Sequence, residues 1–539
     1  MRKMVPYRTI SIIIISSLII PIFTLSSHAL NNSPGNSKSS LLYVSKSDST
    51  YSRIQDALDD ATDGDTIVIG NGTYNESWNI TNSNLKFLGN SSNNVIIDIS
   101  NLFFPINILG TNNIISKMNF TYINDDIYEM MKISSNNNTL LECDFFCESN
   151  NITMVNISNN FNTHIEKCNV FMKANFSNSF FICNSLNCFI ENCSFLADGK
   201  DSSSINISNS KNIEITNCNF NTVFTYEFPK YHSEKKYTWL LCSIIFHKCK
   251  SLLLSQNYFN LSGGSNDPNL RVYSVGIMTY PFYYLVSWKY SIHSYDIKLK
   301  DSIFIHNRLS SSSLEVFGIS GLEIINISGK NSSNGINIVS SEKINITNNP
   351  SISTLKLYGI KDVNIKNNSI LRMSILSRYE DGKLVFSNNI LIEYNQISNQ
   401  SIRTFSSFIK GNNVKIFNNK LNSMWKGFSI EGRNIEIKGN NLNFSDWGLY
   451  IKSYYFDDEN QRLPSNINVT DNIINGTGNN SSVKSVILSM ASGALIKDND
   501  IKAVGNGTYQ NIGLWMEHVD DTTVQGNRIH VNSTSGTGI

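Results

Sequence analysis

Five pairs of adjacent acids carry the plainest chemistry in this sequence: Asp59/Asp60, Asp125/Asp126, Glu380/Asp381, Asp457/Asp458 and Asp520/Asp521. Two carboxylates serve a glycosidase as acid and nucleophile or base when they lie about 5 Å or about 6.5–9.5 Å apart. Paired carboxylate oxygens also suit calcium. Adjacent residues on a strand point to opposite faces, so most contiguous pairs read as solvated loops. Asp457 and Asp458 stand apart because Tyr454, Tyr455 and Phe456 adjoin them; they form the candidate metal pair, with calcium as the ion, and the two tyrosines are candidate sugar contacts. Aromatic clusters are the second signal. Residues 222–250 hold Phe224, Tyr226, Phe228, Tyr231, Tyr237 and Trp239, and residues 260–301 hold Tyr273, Tyr280, Phe282, Tyr283, Tyr284, Trp288 and Tyr290. Such rings either stack on sugars or cover core. The candidate glycan-binding set is Trp239, Arg271, Tyr283, Tyr284, Trp288, Tyr454 and Tyr455, with Lys289 and His293 beside it. No catalytic residue is assigned.

The elements that must position these residues are written in the spacing of the cysteines. Cys143, Cys168, Cys193 and Cys218 lie 25 residues apart. Each has an aliphatic three residues before it (Leu140, Ile165, Ile190, Ile215) and an apolar residue two after it (Phe145, Val170, Phe195, Phe220). A fixed period of this length marks stacked repeats, none of which can bury its apolar face alone. Farther on, asparagine takes the cysteine's place at Asn257, Asn307, Asn368, Asn395, Asn419, Asn440, Asn472, Asn499 and Asn527, with Asn349 fitting in part. From Asn349 onward the spacing drifts from 19 to 32 residues, which suits a coil with variable loops. Ile213 and Ile215 alternate with Glu214 and Thr216 as in a half-buried strand, and the slip before positions 218 and 220 marks a bend. The pattern predicts an all-β fold, a single-stranded right-handed parallel β-helix of about 25-residue coils with strands stacked roughly 4.8 Å apart. Asparagine at a bend can bond its neighbours above and below, so these residues and the four cysteines read as structural columns.

Residues 51–539 form the predicted β-helix, with a capping helix over 51–64 (Ile54, Ala57, Leu58 and Ala61 on one face) and with 222–250 and 260–301 as insertions or irregular coils. Residues 30–50 are a lead-in. Residues 1–29 read as a secretory signal cleaved after Ala29, with an uncleaved N-terminal anchor as the alternative; no later segment is apolar enough to span a membrane. Sequons at Asn71, Asn75, Asn79, Asn151, Asn156 and Asn175 suit a secreted glycoprotein. A net charge of +1, from 44 basic and 43 acidic residues, argues against nucleic acid or an anionic membrane as partner and weakens the case for a strongly polyanionic glycan. Stacked columns hold Cβ atoms farther apart than a disulfide prefers, so the four repeat cysteines are expected as buried free thiols, with a soft-metal column as the lesser alternative. Cys183 with Cys188 and Cys242 with Cys249 lie off that register and are open to pairing. The final residues, Ser533 to Ile539, read as the start of another coil, and an uncovered edge there would favour end-to-end association.

The string from Ile54 to Tyr74 (IQDALDDATDGDTIVIGNGTY), followed by Asn84–Gly89 and Val95–Asp98, resembles the opening of pectin-lyase-like β-helix domains, and the likeness runs through the repeats to Ile529. Within that superfamily the chain is most similar to the secreted, Asn-rich adhesin-like surface proteins of methanogenic archaea and to the carbohydrate-binding and sugar-hydrolase repeat domains. That resemblance implies a secreted or cell-surface protein whose partner is a polysaccharide or cell-surface glycan. The rivals it leaves are a polysaccharide lyase or glycoside hydrolase and a protein resembling the copper-associated β-helix family. Polygalacturonase-like enzymes carry His-Gly and Arg-Ile-Lys segments that are missing here. The nearest match to a pectate-lyase-like segment is Trp515-Met-Glu-His-Val-Asp-Asp521, which lacks the companion Arg-Pro and reads as an ordinary coil. His164, His232, His247, His293, His306 and His518 are scattered in sequence, which weighs against the copper reading.

Overall fold

The computed structural model describes residues 39–532 apart from 48–49, 125–127, 200, 224–236, 263–269, 280–292, 307–310, 331–334, 381–382, 400–404, 424, 454–464, 479–481 and 507–509. One coil shows the plan. Strand His164–Glu166 lies in a first sheet, Asn169–Lys173 in a second and Asn178–Cys183 in a third, and Leu186–Glu191 then returns to the first. Every rung is parallel to the next and displaced by one coil: Ile165 pairs with Ile190, Val170 with Phe195 and Ile182 with Ile207. This is the right-handed parallel β-helix that the period predicts. The first sheet runs from Leu41–Val44 to Thr523–Gln525. The second is separate as a 10-stranded ladder from Gly72–Tyr74 to Ser328–Lys330. Beyond that it merges with the third, because Ser369–Leu376 pairs at Ile370 with Ile397 and at Met373 with Ser407.

The helix is shorter than predicted, Ile54–Asp60, and buries Ile54, Ala57 and Leu58 in the same core as the coils. Its first amides are held from outside: Glu76 accepts from the N–H groups of Ile54 (3.0 Å) and Gln55 (3.4 Å). A carboxylate at that end satisfies orphan donors and meets the positive pole of the helix.

The corner between the first and second sheets explains the abundance of asparagine. The residue before each column position is left-handed, as at Glu142 (φ 53°), Lys167 (53°), Asn192 (56°), Asn217 (54°), Asn348 (58°), Asn367 (54°) and Asn418 (55°). Asparagine tolerates that conformation better than most side chains. The chain turns there, which puts Ile215 and Cys218 both inside although they differ by three residues. The next residue closes the corner. Asn395 Oδ1 accepts from both the backbone N–H (2.9 Å) and Nδ2 (3.0 Å) of Asn368, while its own Nδ2 donates to the carbonyls of Ile365 (2.8 Å) and Glu393 (3.0 Å). The same Oδ1 pattern links Asn395 to Asn419, Asn419 to Asn440, Asn440 to Asn472, Asn472 to Asn499 and Asn499 to Asn527. At position 302 a serine does the accepting, from the Asn257 N–H at 3.3 Å, so Ser302 belongs to this column, while Asn307 lies outside the described residues.

Beneath the second sheet the apolar column becomes a file of rings. Phe120–Phe145, Phe195–Phe220, Phe220–Phe259 and Phe259–Phe304 are stacked with centroids 4.5–5.1 Å apart. Val170 interrupts the file. Phe180, reaching in from the third sheet, fills the gap and meets Phe145 and Phe195 edge-on at 5.9 and 5.3 Å. Phe180→Ala should therefore lower stability by about 3–5 kcal/mol, read as a lower urea midpoint, and Val170→Phe should recover part of the loss.

All nine cysteines are free. Cys168 and Cys193 donate to the carbonyls of Glu166 (3.4 Å) and Glu191 (3.2 Å), so each thiol occupies the corner that an asparagine fills elsewhere. Contacts with the Cys143 and Cys193 thiols, and then burial, hold the Cys168 thiol well above its ordinary range. Cys188 and Cys249 are in register after all, in other columns. Cys188 pairs with Ile213 in the first sheet, and the Cys249 N–H donates to Ser294 Oγ at 3.2 Å as the Ser185 N–H does to Ser210 Oγ. Burial pushes Cys188 up to about 12 and Cys249 up to about 11, the latter helped by nearby Cys183. A thiol is reactive only as the thiolate. Eight of the nine thiols are buried out of a reagent's reach, so Ellman's reagent at pH 8 should modify Cys183 at most in the folded chain and all nine cysteines in denaturant.

Candidate functional site

The residues singled out from sequence are distributed unevenly over this scaffold. Tyr283, Tyr284, Trp288, Tyr454, Tyr455, Asp457 and Asp458 lie outside the described residues. Trp239 and Arg271 lie on neighbouring strands of the third sheet, Tyr237–His247 and Leu270–Thr279, one step apart in register: Trp239 pairs with Val272, and Thr238 with Arg271. Their side chains are outside the described set. Segments 222–250 and 260–301 thus each keep a strand of the coil.

A different group of aromatic residues converges on the outer face of the third sheet. Lys426 belongs to strand Lys426–Glu431, Trp447 and Tyr450 to Trp447–Lys452, Lys484 to Lys484–Ser489 and Trp515 to Ile512–Glu517. Register stacks Trp447 on Lys484, and Tyr450, Ile487 and Trp515 on one another. The Lys426 ammonium lies 4.5 Å from the Trp447 ring centroid; that of Lys484 lies 5.5 Å from Trp447 and 4.4 Å from Trp515. The result is an alternation of cation and indole along the axis, Lys426, Trp447, Lys484, Trp515, with Tyr450 5.9 Å from Trp447. Cation–π contacts of this kind fix the planes of otherwise mobile rings.

Glycine places Trp447 outside. A Cβ on Gly448 would sit 2.4 Å from the buried Phe444 ring, so the backbone can tuck inward there only without a side chain. The bend leaves Trp447 facing outward and partly exposed. Asp446 is held beside it: its N–H donates to the Trp425 carbonyl and its carbonyl accepts from the Lys484 N–H, both at 2.8 Å. Burial raises the Asp446 carboxyl above the usual carboxylate range, with Lys426 and Lys484 opposing the shift. Burial, with Glu431 and Glu517 nearby, also raises the Tyr450 phenol. The face thus offers two indoles, a phenol, two ammoniums and carboxylates. That set can stack on sugar rings and bond their hydroxyls.

Trp425, Trp447 and Trp515 were legible as a signal only in part. Trp515 stood in a string read as an ordinary coil, and Trp447 lies seven residues before the Tyr454/Tyr455 pair chosen instead. Trp447 and Trp515 meet only through Lys484, on the strand between theirs, a relation that no spacing in the chain reveals.

The strand pairing defines the class, a right-handed parallel β-helix. No family model matches the sequence, and no curated protein matches it. Among solved structures the chain is similar to the A-module of the Azotobacter vinelandii mannuronan C-5 epimerase AlgE6 (12% identity, TM-score 0.35, covering 72% of this chain and 93% of that one). It is also similar to the Streptococcus pneumoniae surface protein and adhesin PfbA (14%, 0.33, 76% and 94%) and to the catalytic domain of a GH87 α-1,3-glucanase solved with nigerose (14%, 0.30, 76% and 70%).

The raised Asp446 has a measurable consequence. A carboxyl whose folded pKa exceeds its unfolded value holds its proton longer when folded, so folding loses stability as pH rises from the unfolded carboxylate range through the folded one. Asp446→Asn removes that loss. The variant's advantage in urea midpoint over the parent should be absent near pH 3 and present at pH 7.

Proposed function

We propose that this chain is an extracellular β-helix protein that binds a glycan, without turning it over, through the outer face of the third sheet. The observation that carries this reading is the Lys426–Trp447–Lys484–Trp515 alternation: two indole rings two coils apart, with the Lys484 ammonium between them and Lys426 against the outer side of Trp447. Rings preset in this way bind a polysaccharide without first losing rotamer freedom, which is where much affinity is otherwise lost. The solenoid supports the same reading, because stacked rungs repeat a binding groove along an axis parallel to which a polymer can lie. The basic and apolar leader at residues 1–29 supports a site of action outside the cell. Among the described residues no helix is long and apolar enough to cross a membrane.

The test is glycan-array binding and affinity electrophoresis of the full chain on plant and microbial polysaccharides, with assays for new reducing ends and unsaturated products run in parallel. Trp447→Ala and Trp515→Ala should each weaken binding about tenfold or more, the equivalent of about 1.4 kcal/mol. Unchanged binding in both variants would exclude this face. Product formation by the parent protein would replace the binding reading with an enzymatic one.

A further inference from the structure

On the outer face of the first sheet, away from the indole platform, His164, Glu166 and Glu191 bring one imidazole nitrogen and two carboxylates together, with one ligand atom from each within 4.8 Å of the others. His164 and Glu166 stand two apart on strand His164–Glu166 and so share a face. Glu191 is directly opposite Glu166 on the next coil. Like charges facing each other across two strands are unfavourable unless something neutral or positive lies between them. Part of that role falls to His164, whose Nε2 is 2.6 Å from Glu191 Oε1, and part to Lys167, whose Nζ is 2.7 Å from Glu166 Oε1. Phe189 occupies the rung beside His164, its ring edge-on at 6.4 Å, and walls one side of the group.

We propose that His164, Glu166 and Glu191 bind a first-row divalent cation of the zinc class, which ties one coil of the solenoid to the next. One imidazole with two carboxylates is a donor set that zinc accepts with bonds of about 2.0–2.2 Å, leaving a fourth position for water. The three donors already lie within 4.8 Å of one another on half-exposed side chains, close enough for side-chain rotation to bring them onto one ion. The cation replaces the contact between His164 and Glu191: the neutral imidazole keeps its one proton on Nδ1 and presents its Nε2 lone pair. It also displaces Lys167 from Glu166, taking over the neutralisation of the facing carboxylates.

Calorimetric titration of the folded full chain with Zn²⁺, and absorption of its Co²⁺ complex, test this. One equivalent should bind. His164→Ala and Glu191→Gln should each weaken it at least tenfold, while Glu214→Gln, outward on the following coil, should not. The cobalt spectrum should lack a sulfur-to-metal charge-transfer band. The proposal is overturned by the lack of a saturable equivalent, by parent-like binding in both His164→Ala and Glu191→Gln, or by a thiolate band that disappears in Cys183→Ser.

Discussion

Everything in this molecule depends on closing a polar corner inside an apolar stack. Where the first sheet turns into the second, backbone N–H groups point along the axis with no strand partner, and an unpaired buried donor costs about 1–3 kcal/mol. The corner asparagine answers with one oxygen that takes two donors from the rung before it and one amide nitrogen that serves two carbonyls. Each rung completes its neighbour, and none is satisfied alone. That is why the residue recurs wherever the chain returns to this edge, and why a left-handed residue precedes it.

Early in the stack, sulfur occupies the same place. A thiol is a weak donor and acceptor, so Cys143, Cys168, Cys193 and Cys218 contribute packing and single bonds to carbonyls in place of the four-bond link. These thiol rungs coincide with the file of phenylalanines, whose rings lie against one another beneath the second sheet. The two halves of the solenoid therefore rest on different balances: a ring-packed, thiol-lined first part and an amide-bonded second part in which the second and third sheets merge.

Because the core and corners carry the stability, the outward positions are free to vary. On the third sheet they assemble tryptophan and lysine from strands that begin at residues 426, 447, 484 and 512. On the first sheet they assemble a histidine and two glutamates from consecutive coils. Both groups are built by stacking, the same device that builds the core, so a solenoid acquires surface chemistry at no cost to its interior.

The period, the inward aliphatics and the bend before each column position could be read from the chain, because burial repeats strictly and a slip of one residue would turn the whole strand inside out. Position 302 shows the limit. The asparagine pattern pointed to Asn307, whereas Ser302 closes the corner, since a hydroxyl meets the same N–H and composition cannot distinguish the two. Likewise Cys188 and Cys249 looked out of register only because other residue types fill their columns: Ile213 follows Cys188, and Ser185, Ser210 and Ser294 share the column of Cys249. Outward residues obey no such repetition. Trp447 and Lys484 are 37 positions apart in the chain yet adjacent on the sheet, and His164 and Glu191 are 27 apart. The amino-acid order determined the coil and what fills it; only the winding, through loop lengths that vary from rung to rung, decided which surface side chains meet.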